Sequence, residues 1–139
     1  MQVSKVYEVK SDIVFKLLTQ LFIEDYQAST ATIIRTVDIV PGLVYTKKSS
    51  KLGSFRVKVL VFDRPKHYKV EVTSSRGKQE ISYQLQQHAT NSTRIIFSES
   101  HQSTDWFHSL NYRLLQPLFK KKLEKRMLLQ MDKLVEFAK

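Results

Sequence analysis

The C-terminal part of the sequence places one continuous apolar stripe on a long helix. Apolar residues recur there at steps of four or three, the spacing that collects side chains on one helical face. A helix over residues 117–138 would be about 33 Å long, and a six-stranded sheet is about 24–29 Å wide. The rest of the chain therefore has to supply a broad apolar surface. The stripe consists of Leu115, Phe119, Leu123, Met127, Met131, Leu134 and Ala138.

Short runs of alternating apolar and polar residues fill the middle of the chain. Polar breaks around Gly53, Pro65, Gly77 and Asn91 separate them, and breaks this short join antiparallel neighbours. Strand alternation places one apolar set on a single face of the predicted sheet, which the stripe of the terminal helix would cover. That set is Tyr45, Phe55, Val57, Val59, Val61, Tyr68, Val70, Val72, Ile81, Tyr83, Leu85, Ile95 and Phe97.

The N-terminal segment adds a strand and at least one helix. Residues 1–10 alternate like a strand, with Lys5 as an exception on the apolar side. Ser11 is a predicted N-cap for a helix from Asp12 toward Tyr26, and residues 27–38 fit either a second short helix or an extended connection. Pro117 predicts a kink or a break in the terminal helix. The fold class is α+β, with residues 1–139 forming a single domain.

Composition excludes several classes of protein. The chain has no cysteine, which excludes a disulfide framework, a thiolate zinc site and a cysteine nucleophile. The N-terminus has no apolar signal region, and the longest apolar run is four residues, Val59 to Phe62, so no membrane span is predicted. A cytoplasmic location is expected.

Catalytic and metal-binding patterns are weak. Three glycines leave no phosphate-binding loop, and no serine lies in a G-x-S-x-G turn. His101, Asp105 and His108 have helical spacing, but His101 precedes the predicted start of the terminal helix. We therefore interpret the three as surface residues and expect neither a metal nor a cofactor.

The order of elements resembles the helix-grip fold of the START/Bet v 1-like (SRPBCC) superfamily. Within it, the chain resembles a bacterial family catalogued as domain of unknown function 3284, through residues 42–47 (GLVYTK), 81–85 (ISYQL) and 109–113 (SLNYR). The resemblance implies a curved antiparallel sheet of about six strands packed on the C-terminal helix, with N-terminal helices closing one end. It also implies a cavity between sheet and helix, which in the superfamily holds hydrophobic molecules.

These features predict a binding module, not an enzyme, for a small hydrophobic or amphipathic molecule. Tyr45, Tyr68 and Tyr83 share the apolar face with Glu99, and polar groups inside an apolar space are typical of a ligand pocket. Leu123, Met127 and Met131 would line the apolar wall. One alternative is a polyketide-cyclase-like enzyme with Glu99 as acid or base. Another is a structural role in which each hydroxyl reaches the backbone and the methionines are plain core.

The charge suggests an anionic partner as a second alternative. Lys and Arg total 23 against 13 Asp and Glu, a formal net charge of +10. The basic residues are spread over the polar strand face and over the terminal helix at Lys120, Lys121, Lys122 and Lys125, so we expect at most weak, non-specific binding of nucleic acid or anionic membranes. The helix itself should not insert, because the sheet covers its apolar face. A homodimer burying Leu123, Met127 and Met131 remains an alternative to packing within one chain.

Overall fold

The computed structural model describes residues 1–49, 53–103 and 106–138, and the side chains in these ranges except those of residues 49, 103 and 106–120. Its elements follow the order that the sequence predicts, with a meander of strands before a long terminal helix. They are β1 (Gln2–Tyr7), α1 (Ser11–Thr30), a 3-10 turn (Thr36–Asp38), β2 (Val44–Ser49), β3 (Gly53–Asp63), β4 (His67–Ser74), β5 (Gly77–Ala89), β6 (Ser92–Ser103) and α2 (Trp106–Ala138).

The six strands form one antiparallel sheet in the order β1-β6-β5-β4-β3-β2. Strands β2 to β6 follow one another as hairpins, and β1 is added beside β6, with Val3 opposite Phe97. The first strand of the chain thus pairs with the last one. A six-stranded antiparallel sheet with a C-terminal helix is the architecture predicted from the sequence.

The apolar stripe of α2 packs on the inner face of this sheet. Met127 and Met131 are completely buried, Leu134 is buried and Leu123 is half-buried. They join a core cluster with residues of β1, α1, β5 and β6, including Phe15, Ile95 and Phe97. The stripe is therefore covered within one chain over its described part, while the side chains of Leu115 and Phe119 lie outside the described residues.

Lys5 departs from the alternation of β1 because its charge has a partner on α2. Its ammonium lies 3.0 Å from Asp132 Oδ1 and 5.2 Å from the centre of the Tyr7 ring. The Tyr7 hydroxyl donates to the same Asp132 oxygen at 2.6 Å. These two hydrogen bonds lower the pKa of Asp132. A polar contact thus joins β1 to α2 at the edge of the apolar core.

A β-bulge changes the predicted inner face of β3. The register shifts between Val59 and Val61, so that Val61 pairs with Lys69 and Phe62 pairs with Tyr68. The prediction that Val61 lies on the apolar face is therefore wrong, and Phe62 takes that place. Its ring lies 5.1 Å from that of Phe15.

Two expectations for the N-terminal region need correction. Over residues 1–49, all of them described, one α-helix and a single 3-10 turn replace the predicted N-terminal helices, since the stretch after Thr30 has no amphipathic period to stabilise a second one. Ser11 is not the N-cap, a position taken by Lys10. The Ser11 side chain is buried and hydrogen-bonds instead to Thr93 Oγ1 at 3.0 Å.

The terminal helix continues through Pro117. α2 is one helix of 33 residues, so of the kink or break predicted there, the break does not occur. Proline removes a single amide donor, and the burial of later turns at Met127 and Met131 is enough to hold a helix together around one missing hydrogen bond. No helix within the described ranges has the length and apolarity to cross a membrane.

Replacing Met131 with alanine tests the burial of the stripe. Because Met131 is completely buried, Met131→Ala should lower the free energy of unfolding by about 2–5 kcal/mol. Leu129→Ala is the matched control, because Leu129 lies on the same helix with 60% of its surface exposed, and it should change that free energy by less than about 0.5 kcal/mol. Urea denaturation measures both, and equal losses would contradict the packing of α2.

Candidate functional site

A row of aromatic rings crosses the inner face of the sheet. The Phe22 ring of α1 lies 5.5 Å from that of Tyr45 and 6.4 Å from that of Tyr68. Tyr68 lies 6.3 Å from Tyr83, and Tyr83 stacks on Phe97 with the ring centres 4.6 Å apart. The spacing is that of favourable aromatic pairs. The three tyrosines predicted as ligand contacts therefore belong to one continuous surface.

Tyr45 is engaged within the protein. Its side chain is buried, and its hydroxyl donates to Asp25 Oδ2 on α1. Lys47 Nζ lies 3.4 Å from Asp25 Oδ1. Burial raises the pKa of Tyr45, and the hydrogen bond to Asp25 raises it further. The hydroxyl of Tyr45 therefore joins α1 to β2, and only its ring belongs to the aromatic row.

Tyr68 and Tyr83 remain neutral donors over the physiological pH range. Both are half-buried. Burial raises the pKa of Tyr68, with the charges of Tyr83 and Asp25 as smaller causes. Burial also raises the pKa of Tyr83 to about 12, with a contribution from the charge of Glu99. Each phenol can therefore donate a hydrogen bond at the inner face.

Glu99 is a buried carboxylate at the end of this row. Only 5% of its side chain is exposed, and Arg126 Nη2 on α2 donates to its Oε2 at 2.7 Å. His101 Nε2 lies 3.9 Å from the same oxygen. Since burying an unpaired carboxylate is costly, the Arg126 guanidinium is what makes this position tenable. Glu99 thus accepts a hydrogen bond from within the protein, and the hydrogen bond expected from a ligand stays a prediction.

The predicted apolar wall is part of the packed core. Met127 and Met131 are completely buried, and Leu123 and Tyr83 pack at the border of their cluster. Tyr45 belongs to a second core cluster, and Tyr68 packs against both clusters. The predicted residues therefore form two groups joined at Tyr68. The predicted cavity between sheet and helix stays a prediction.

Arg126 is a site residue that the sequence analysis did not name. A usable signal was present. A glutamate on the apolar face needs a cation, and Arg126 stands directly before Met127 of the stripe. Its position at the edge of the buried helix face is where a long side chain can reach a buried partner while its own head remains half in water.

The outer face of the sheet carries a second polar group. His67 Nε2 and Ser82 Oγ are 2.9 Å apart, in a groove of about 320 Å³ that also contains Lys69 and Glu80. Burial and the charge of Lys69 lower the pKa of His67. Ser82 lies within the paired part of β5, so the amides of this strand take part in the sheet and are not free to act as the oxyanion donors that acyl transfer requires.

The predicted set His101, Asp105 and His108 lies only in part within the described residues. His101 lies in β6, outside α2 as expected, while Asp105 and the side chain of His108 lie outside the described residues. Among the described side chains no three potential ligands converge on a metal position. Lys121, Lys122 and Lys125 are exposed on α2, and the side chain of Lys120 lies outside the described residues.

Residues 1–120 match the family described as "Domain of unknown function (DUF3284)". The chain belongs to this family. No curated protein sequence matches it.

Solved structures share the fold at low sequence identity. The protein of unknown function SA2116 from Staphylococcus aureus has a TM-score of 0.65 at 15% identity, over 99% of this chain and 91% of that one. TTHA0849 from Thermus thermophilus has a TM-score of 0.56 at 13% identity, over 99% and 97%. Ara h 8.0201 has a TM-score of 0.55 at 15% identity, over 92% and 96%. These findings confirm the family resemblance and the START/Bet v 1-like fold.

A double-mutant cycle tests the coupling of Glu99 to Arg126. Arg126→Met should lower the free energy of unfolding by about 1–3 kcal/mol, because it removes the donor of a buried carboxylate. Glu99→Gln in the same chain should recover part of that loss, giving a coupling energy of about 1 kcal/mol. Lys125→Met, on the exposed side of the same turn, is the control and should have little effect. Urea denaturation measures the two single variants Arg126→Met and Glu99→Gln, the double variant and the control. Strictly additive losses of the free energy of unfolding would contradict the pairing.

The raised pKa of Tyr83 predicts a loss of stability in alkali. An unfolded tyrosine titrates near pH 10, whereas the folded pKa is about 12, so the contribution is complete below pH 10 and is lost as the pH rises toward 12. Tyr83→Phe should remove it, sparing about 2 kcal/mol of that alkaline loss. The pH dependence of the free energy of unfolding measures this, and an unchanged slope in the variant would contradict it.

Proposed function

We propose that the protein is a non-enzymatic binding module for a small hydrophobic or amphipathic molecule, held between the inner face of the sheet and α2. The observation that carries the proposal is the aromatic row, which ends at the buried Glu99–Arg126 pair. An apolar surface with a few polar groups at one point is the usual composition of a small-molecule site.

The aromatic row supports an apolar contact with the body of the ligand. Tyr68 and Tyr83 are half-buried on the inner face, so ligand atoms in contact with their rings would be removed from water. Leu123 stands at the border of the core on the opposite wall, with Met127 and Met131 completely buried behind it. The two methionines would act as the rear of that wall, and Leu123 would touch the ligand.

The polar end of the row supports recognition of a hydrogen-bonding group. Glu99 accepts a hydrogen bond from Arg126 through Oε2, and a carboxylate has further acceptor positions. The neutral phenol of Tyr83 is a donor. A hydroxyl group on the ligand, which both donates and accepts, would satisfy the two residues together.

One observation favours the alternative, an enzyme of the polyketide-cyclase kind. Glu99 is buried and close enough to Tyr83 for its charge to raise the pKa of that phenol, and a buried carboxylate beside a phenol can work as general acid or base. Arg126 opposes this role, because its guanidinium already occupies Glu99 Oε2 with a hydrogen bond of 2.7 Å. We therefore place the binding module first.

Narrowing the space beside Leu123 tests where the ligand binds. Leu123→Trp places a larger side chain at the inner border, so it should raise the dissociation constant of the hydrophobic probe 1-anilinonaphthalene-8-sulfonate about tenfold. Leu129→Trp on the exposed side of α2 is the matched control and should leave it unchanged. Fluorescence titration measures both, and equal affinities would contradict binding at the inner face.

Mass spectrometry of solvent extracts from the purified protein identifies the natural ligand, and that compound then separates the two functions. Glu99→Gln should weaken its uptake if the carboxylate is a binding group. Unchanged uptake together with lost conversion of the compound would favour the enzyme.

A further inference from the structure

The segment between α1 and β2 holds three aliphatic side chains in water. Ile33 is 73% exposed, Val37 71% and Val40 51%. We call residues 33–40 the apolar loop. A surface of clustered apolar side chains usually marks an interaction site, whereas single exposed ones need no explanation.

One buried residue and the hydrogen bonds of a turn hold the apolar loop in its conformation. Ile39 points inward and is buried in the core cluster of Phe22 and Tyr45. The Arg35 amide donates to Asp38 Oδ2 at 3.0 Å, and the Asp38 amide donates to the Arg35 carbonyl at 3.0 Å. These bonds close the 3-10 turn that carries Val37. Because Ile39 and the turn are fixed, the outward direction of Val37 is fixed as well.

The end of the loop is fastened to the sheet. The Leu43 amide donates to the Val40 carbonyl at 3.1 Å, and the Gly42 amide donates to the Val59 carbonyl of β3 at 2.8 Å. Gly42 has a φ of +97°, which glycine adopts without the strain that a side chain would bring. Val40 is therefore held at the edge of the domain beside β3.

The surroundings of the loop are strongly basic. Between residues 33 and 58 the sequence has six Lys or Arg and one acidic residue, and that residue, Asp38, is paired with Arg35. Arg35 itself is 81% exposed. Lys58 is exposed on β3, one residue before Val59, whose carbonyl accepts the hydrogen bond of Gly42. The loop and the strand that holds its end therefore each carry an exposed cation, Arg35 and Lys58, whereas Lys47 is paired with Asp25.

We infer that the apolar loop docks the protein on an anionic lipid bilayer. The three side chains would enter the boundary between headgroups and acyl chains, and the lysines and arginines around them would meet the lipid phosphates. A protein partner fits less well, because the loop lacks the aromatic anchors that dominate protein interfaces. The sequence assigned only weak binding to charge alone; the loop adds an apolar contribution that salt does not screen.

Vesicle flotation tests the inference on the full chain. The protein should float with vesicles of phosphatidylcholine containing about 30% phosphatidylglycerol more strongly than with phosphatidylcholine alone. The triple variant Ile33→Ser, Val37→Ser and Val40→Ser should lower the partition coefficient about 100-fold, because it removes most of the transferred apolar surface. Leu129→Ser with Phe137→Ser is the matched control, since those residues are 60% and 80% exposed on α2, and it should bind like the parent chain.

A single label reports the depth of the loop. The chain has no cysteine, so Val37→Cys provides a unique site for an environment-sensitive dye, whose emission should shift to the blue on anionic vesicles. The same dye at Leu129→Cys should not shift. Circular dichroism and thermal unfolding of each variant show that it is folded, which is expected because every changed side chain is exposed.

Three outcomes would overturn the inference. The first is equal vesicle binding by the triple variant and its control. The second is binding that disappears at physiological salt, where the screening length is about 8 Å, without a shift of the Val37 label. The third is self-association, measured by light scattering, that the triple variant abolishes, because it would assign the apolar loop to a second copy of the chain. None of these outcomes bears on ligand binding at the inner face.

Discussion

Burial of the apolar stripe of α2 determines the arrangement of the inner face. Met127 and Met131 fix both the distance of the helix from β1 and β6 and its rotation about its own axis. Arg126 directly precedes Met127, so the same rotation brings its guanidinium to Glu99. The apolar packing of Met127 and Met131 thus positions Arg126, whose charge needs a partner. The Glu99–Arg126 pair makes the contact between α2 and the sheet specific, whereas most of the free energy of that contact comes from buried apolar surface.

The periodicity of the sequence predicts the architecture because each strand and helix has one apolar face that is buried. Alternation placed Tyr45, Tyr68 and Tyr83 on the inner side of the sheet, and the helical spacing placed Met127 and Met131 against it. The same reasoning fails at β3, where Val61 and Phe62 are both apolar and no polar residue marks the bulge. It also fails at residues 27–40, where burial of Ile39 against the sheet, a tertiary contact, decides the conformation.

The face of the sheet or helix on which each candidate residue lies was predictable, but the arrangement of these residues was not. Strand alternation tells which face Glu99 occupies, and it does not tell which turn of α2 passes over it, since that depends on the register of β6 and the rotation of the helix. The sequence does not identify the hydrogen-bond partner of Tyr45 for the same reason. Asp25 reads as an ordinary polar position on α1, and only the packing of α1 on β2 brings it to the hydroxyl.

The pairing of β1 with β6 has a consequence for the kinetics of folding. The Met1 nitrogen donates to the Glu99 carbonyl across 98 positions of sequence, whereas β2 to β6 are joined by short turns. Contacts between near neighbours form first because they close small loops. β1 is the first strand to be synthesised and the last that can be paired. β1 cannot pair until β6 has been synthesised. Substitutions in β1 should therefore act mainly on the rate of unfolding.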